Sequence, residues 1–139
     1  MHVIEIQKGE LVSEISRQAK ELGILNGAIV SLIGAADSFV VSTMPAKDPT
    51  VDNIAEYDMT GEMTSTGEIV DGKPHVHVVM GVEGDRGVTG HLHSAQNQPL
   101  VRPCLCDARQ LNLSPPCHSP ARAPALIRYV PLLRVDQML

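Results

Sequence analysis

The chain has 139 residues, 11 basic and 16 acidic side chains for a formal charge of −5, 43% hydrophobic residues and no tryptophan. That length supports a single hydrophobic core of about one domain, and the acidic balance argues against a surface built to neutralise phosphates. Apolar runs such as Ala28-Ile29-Val30 are far too short to span a bilayer, and no basic segment followed by an apolar one opens the sequence, so a soluble, cytoplasmic protein without membrane contact is expected.

In chain order, Val3-Ile4-Glu5-Ile6 predicts an opening strand. After Gly9-Glu10, the residues Leu11, Val12, Ile15, Ala19 and Leu22 recur at helical spacing, which predicts one apolar helix face stopped by Gly23. Ala28 to Ile33 reads as a β-branched strand ending at Gly34-Ala35-Ala36-Asp37, with Phe39 to Ser42 close enough to pair with it antiparallel. Met44 to Asn53, with Pro45 and Pro49, reads as loop. A strand from Glu56 to Ser65 alternates around Gly61, and after Gly67 the short Ile69-Val70 arm turns through Asp71-Gly72-Lys73-Pro74. Two β-like runs follow, Val76 to Met80 and Val88 to Leu92, separated by the turn formers Gly81 to Gly87. One early helix covering a sheet of five or six mostly antiparallel strands predicts an α+β fold.

Composition breaks near residue 96. Residues 1–96 carry a charge of −8 and all 11 glycines, whereas residues 97–139 carry +3, all three cysteines and 7 of the 10 prolines. The chain is therefore read as a folded domain over 1–96 and an atypical, poorly ordered Pro/Cys/Arg-rich tail over 97–139. Such a tail is either a natural disordered extension or a stretch whose reading frame changed; the second is favoured, because natural linkers keep Gly, Lys and Glu. Cys104-Leu-Cys106 and Cys117-His118 read as free thiols rather than zinc ligands, and Leu126 to Val130 as a late strand interrupted by Pro131.

Four of the six histidines fall within two His-x-His pairs, His75 with His77 and His91 with His93. Side chains on a strand alternate faces, so each pair points one way, with about 7 Å between its members. A hairpin symmetric about Gly84 places His77 opposite His91 and His75 opposite His93, at Cβ separations of about 4.5–5.5 Å. Neutral imidazole is the commonest metal ligand, and three with an open fourth position form a ligand-accepting zinc site. The expected ligands are His75, His77 and one or both of His91 and His93, for zinc or another divalent transition metal rather than magnesium. A slip of one residue in either strand would send its pair to the opposite face. Glu62, in the middle of a predicted strand, is read either as a solvent-facing residue or as a carboxylate orienting a ligating imidazole.

The order of Gly23-Ile-Leu-Asn-Gly-Ala-Ile-Val-Ser-Leu-Ile-Gly-Ala35, then Tyr57 to Gly67 with Glu62 inside, then Pro74-His75-Val76-His77 and Gly90-His91-Leu92, resembles the PPC (plants and prokaryotes conserved) domain over roughly residues 3–96. In plants that module is joined to AT-hook DNA-binding motifs; in bacteria and archaea it usually stands alone. The resemblance implies an α+β fold with an antiparallel sheet, assembly as a homotrimer and a histidine-lined zinc site. By motif position His75, His77 and His91 would be the ligands, with His93 a less regular position. Where the family continues into a closing strand, this chain enters its Pro-rich tail, so that strand is expected to be missing or replaced.

Two functional classes follow. The first is a binding or regulatory module of the type associated with DNA, carrying the zinc site. The folded part is acidic, however, the sequence has no Arg-Gly-Arg-Pro hook, and Arg102, Arg109, Arg122, Arg128 and Arg134 are scattered rather than in a stripe. The second is a metal-dependent enzyme acting on a small anionic molecule, in which bound water with a pKa near about 7 would be the nucleophile. Glu62, Glu83 and Asp85 are then the candidate general bases. Ser65 and Ser94 are assigned no nucleophilic role, and no catalytic residue is identified.

Overall fold

The computed structural model describes residues 1–108. It contains β1 (His2–Val3), β2 (Gly9–Glu10), α1 (Leu11–Glu21), β3 (Gly27–Thr43), β4 (Asn53–Tyr57), β5 (Gly61–Val70), β6 (Lys73–Val82) and β7 (Arg86–Asp107). All ladders are antiparallel, in the order β1-β7-β6-β5-β3-β4 with β2 also on β7. Because β7 pairs with β3 as well as with β6, the long strands β3, β5, β6 and β7 close on themselves. The fold is α+β, as expected.

Period-two alternation builds the interior. Along β6, Val76, Val78, Met80 and Val82 point inward while His75, His77 and Val79 point out. Ile29, Leu32, Phe39 and Val41 of β3, Met63 and Ile69 of β5, and Leu92, Ala95, Val101 and Leu105 of β7 complete the same core. The helix closes it with Leu11, Ile15 and Ala19, all fully buried; Leu22, expected on that face, is exposed beyond the last turn.

Both helix ends have explicit caps. The Glu10 carboxylate accepts from the amides of Val12 (3.0 Å) and Ser13 (2.8 Å) at the N-terminus, and from Ala95 N (3.3 Å) on β7, so one side chain caps the helix and ties it to the sheet. At the other end Gly23 takes φ +70°, and the bonds Gly23 N to Lys20 O and Ile24 N to Ala19 O form a Schellman motif.

Three sequence expectations are corrected. Residues 34–37 do not end a strand: β3 runs unbroken through them, and the small residues Gly34, Ala35 and Ala36 lie where the β3–β7 ladder shifts register, as at bulges that bend a long strand. The stretch from Glu56 to Ser65 is not one strand; Tyr57 pairs with Phe39 at the end of β4, and Gly61 begins β5. The closing strand is present, since β7 continues past the compositional break to Asp107. Val101, Pro103 and Leu105 alternate inward with Arg102 outside, a strand pattern disguised by prolines. Pro103 uses its carbonyl instead, accepting from Ile4 N at 3.1 Å. Cys117-His118, the segment Leu126 to Val130 and the remaining tail lie outside the described residues.

Burial alone would raise the Glu10 pKa, but hydrogen bonds from Ser13, Val12 and Ala95 outweigh it and leave the carboxyl below its ordinary value of 4.5. Its contribution to stability is therefore present above the unfolded pKa and lost as pH falls through the lowered folded one. Urea unfolding of Glu10→Ala at pH 7 should show a loss of about 0.5–2 kcal/mol, and the gap to the parent should close on acidification; an equal gap at low pH would refute the assignment. At Gly90 an added methyl would run into the Ser42 carbonyl oxygen. Gly90→Ala should accordingly lower stability by about 1–3 kcal/mol in the same measurement.

Candidate metal centre

Two tight turns set the register of the histidine strands. Asp71 (φ 51°) and Gly72 (φ 72°) make a two-residue turn between β5 and β6, which leaves Val70 opposite Lys73. Gly84 (φ 82°) and Asp85 (φ 56°) lie in the β6–β7 connection, which leaves Val82 opposite Arg86. Counting back from this second turn, the ladder reaches His77 opposite His91, the expected pair. It stops there, because β7 turns from β6 to β3, with His91 also opposite Ser42.

His75 and His93 are therefore not ladder partners. Val41 pairs with Leu92 and Val40 with Ser94, so His93 is the extra residue of a bulge. Its ring lies edge-on to His91 at 4.8 Å between centroids. The other three rings converge: centroids are 5.1 Å apart for His75–His77, 4.7 Å for His75–His91 and 5.8 Å for His77–His91. One ring nitrogen from each of these three lies within 4.8 Å of the others, a group that does not include His93.

The three imidazoles have different surroundings. His75 and His77 are exposed and His91 is half-buried, a floor between two walls. Burial, followed by the charges of His75, His93 and His77, lowers the His91 pKa below its ordinary 6.5, against a smaller opposing effect of Asp52. A neutral imidazole with a free lone pair is the form that binds a metal. Nδ1 of His91 is buried and has no hydrogen-bond partner among the described residues, an unfavourable arrangement that a bond to an ion would relieve. The donor set and this orphaned nitrogen fit a divalent transition metal.

A carboxylate does orient one of the rings, and it is Glu68. Its Oε1 lies 3.2 Å from His75 Nδ1, an arrangement that, with Nδ1–H donating, keeps the Nε2 lone pair free. Glu62 faces the same side of β5 but stands opposite Gly81, six residues and about 20 Å along the strand from Glu68. Glu83 and Asp85 sit in the hairpin connection, away from the histidine end. Glu68 was readable in advance: carrying the mirror symmetry through the Asp71-Gly72 turn puts it directly opposite His75.

A second carboxylate approaches from the loop after β3. Asp52 Oδ1 lies 3.4 Å from Ser42 Oγ, beside the residue that faces His91. No local pattern in the Pro-containing loop pointed to it. Ser65 is turned into the interior. Cys104 and Cys106 are free thiols on the far part of β7, next to β1 and the start of β3, away from the histidines.

The family model of the Plants and Prokaryotes Conserved (PCC) domain, also abbreviated PPC, matches residues 1–104. No curated protein matches the chain. Among solved structures, a proposed DNA-binding protein from Bacteroides thetaiotaomicron superposes with a TM-score of 0.66 at 23% identity over 76% of each chain. A plant- and prokaryote-conserved protein from Pyrococcus horikoshii gives 0.65 at 21% over 75% of each. A metal-containing protein from Archaeoglobus fulgidus gives 0.60 at 25%, over 76% of this chain and 79% of that one. With the family model spanning the whole described sheet up to Cys104, this chain belongs to the Plants and Prokaryotes Conserved domain family.

Proposed function

We propose that the chain is a metal-binding module of this family, in which His75, His77 and His91 hold one divalent transition metal, zinc by its preference for imidazole. The observation that carries this reading is the convergence of three ring nitrogens within 4.8 Å, one of them belonging to a half-buried imidazole held neutral. Glu68 orients His75, and His93 stands beside the ligand set without joining it. The metal-containing relative from Archaeoglobus fulgidus supports the assignment. When bound, the metal would supply a Lewis-acidic centre, and three protein ligands leave a position for an outside molecule.

A role in DNA association comes to this chain from relatives described as proposed DNA-binding proteins. It would have to run through a partner or an assembly, because the net charge of residues 1–96 is −8. The trimer implied by the family would need an apolar face, and the outward row Ile33, Thr64, Val79 and Thr89, with Ile33 and Val79 exposed, offers one.

Titration of the full chain with zinc should give one site per chain. His77→Ala and His91→Ala should abolish it, His93→Ala should leave it nearly intact, and Glu68→Gln should weaken it about 10–100-fold. Stoichiometric zinc in His77→Ala would sink the assignment. In the metal-free chain, the stability contributed by neutral His91 is present above pH 6.5 and lost as pH falls through its lowered folded value. Unfolding midpoints measured from pH 8 to pH 5 should decline less in His91→Gln than in the parent. A gel shift with duplex DNA at moderate salt should show no complex with this chain alone.

A further inference from the structure

Beside the histidines, on the same outer face, a shallow cleft of about 270 Å³ opens between β3, β4 and β7. Strand register fixes the relation between the two. Ser94 lies opposite Val40 and His91 opposite Ser42, so the cleft begins two residues along β3 and three along β7 from the His91–Ser42 pair, about 7 Å away. The His93 bulge lies between them. Its volume is just under the roughly 300–1,000 Å³ of pockets for drug-sized molecules, which bounds the occupant to a small metabolite.

The lining defines the chemistry of that occupant. Ser38, Ser94 and Gln96 offer groups that both donate and accept, Glu56 and Asp58 offer carboxylates that only accept, and Val40 gives an apolar floor. Among the described residues, no lysine or arginine lines the cleft. An anion would meet two carboxylates with no cation to offset them. Vicinal hydroxyls, by contrast, donate to carboxylates and accept from serine and amide groups. We propose that this cleft binds a small, neutral, polyhydroxylated compound of about one sugar ring and presents it to the histidine centre. The second half rests on the metal reading above. The occupant differs from the small anionic substrate that the sequence suggested, because the charge of the lining comes from β4 and the residue after it, a strand brought to the site only by its pairing with β3.

The chain has no tryptophan and two tyrosines, one of which, Tyr57, lines the cleft, so tyrosine fluorescence reports its occupancy. The full chain, with and without zinc, should be titrated with D-ribose, D-glucose and myo-inositol, and in parallel with putrescine and inorganic phosphate. At least one polyol should bind saturably, and binding should weaken tenfold or more in the isosteric variant Glu56→Gln/Asp58→Asn, since hydrogen bonds to ionised acceptors are the stronger ones. Its urea midpoint should stay unchanged, both side chains being exposed. Zinc should raise polyol affinity in the parent and not in His77→Ala. Tighter binding of putrescine or phosphate, or no polyol bound, overturns the cleft proposal. Equal polyol affinity with and without bound zinc overturns its link to the histidines. A chain that takes zinc but no polyol refutes the cleft and leaves the metal centre standing; one that takes polyol but no zinc refutes the metal centre and leaves the cleft.

Discussion

The double pairing of β7 is the constraint on which the rest depends. Its first part lies against β6 and its second against β3, and His91 is the residue where the two meet, with His77 on one side and Ser42 on the other. A residue held in ladders on both sides cannot slip without breaking both. A shift of one position would turn His91 inward and expose Leu92, forfeiting about 1.5–3 kcal/mol for that side chain alone and stranding an imidazole in the core. The register of the histidine cluster is thus enforced by the hydrophobic interior beneath it. Gly90 permits the close passage at Ser42, and Gly67 permits another at the His75 carbonyl, so two glycines next to the cluster answer a steric demand of the crossing strands.

The same closure grades the electrostatics of the three imidazoles. His91 is flanked by strands and loses solvent, which favours its neutral form. His75 and His77, on β6, stay exposed to solvent. One half-buried imidazole and two exposed ones, with Glu68 beside one of the latter, form a cluster that the strands themselves organise. His93 shows how little separates a member of the cluster from a bystander. A single bulge takes it out of the ladder, and its charge then acts on His91 without its ring entering the cluster.

The outer face of the sheet also joins features that are remote in the chain. Ser42 and Asp52 border the histidines from the end of β3 and the loop after it, while Glu56 and Asp58 arrive with β4. Acidic groups on this side disfavour an anionic visitor, in keeping with a charge of −8 over residues 1–96.

The helix was legible from residue order because its determinants are local: apolar positions at 3.6-residue spacing, a glycine at the left-handed cap and an acidic residue before the first turn. The histidine hairpin was legible for a similar reason, since turn formers around Gly84 set a mirror that paired His77 with His91. The same device, applied to Asp71-Gly72, contained Glu68, whereas Glu62 attracted notice only for its place in a strand. The continuity of β3 through Gly34-Ala35-Ala36, the bulge at His93, the extension of β7 beyond residue 96 and the approach of Asp52 were not legible. Each depends on which distant strand lies alongside, and small residues or prolines read as breaks until a partner supplies the missing hydrogen bonds. Sequence alone determined the periodicities and the turns, which are properties of neighbours along the chain. Only the tertiary structure decided how β7 divides itself between β6 and β3, because that choice is made by burying a shared core whose two halves lie far apart in the chain.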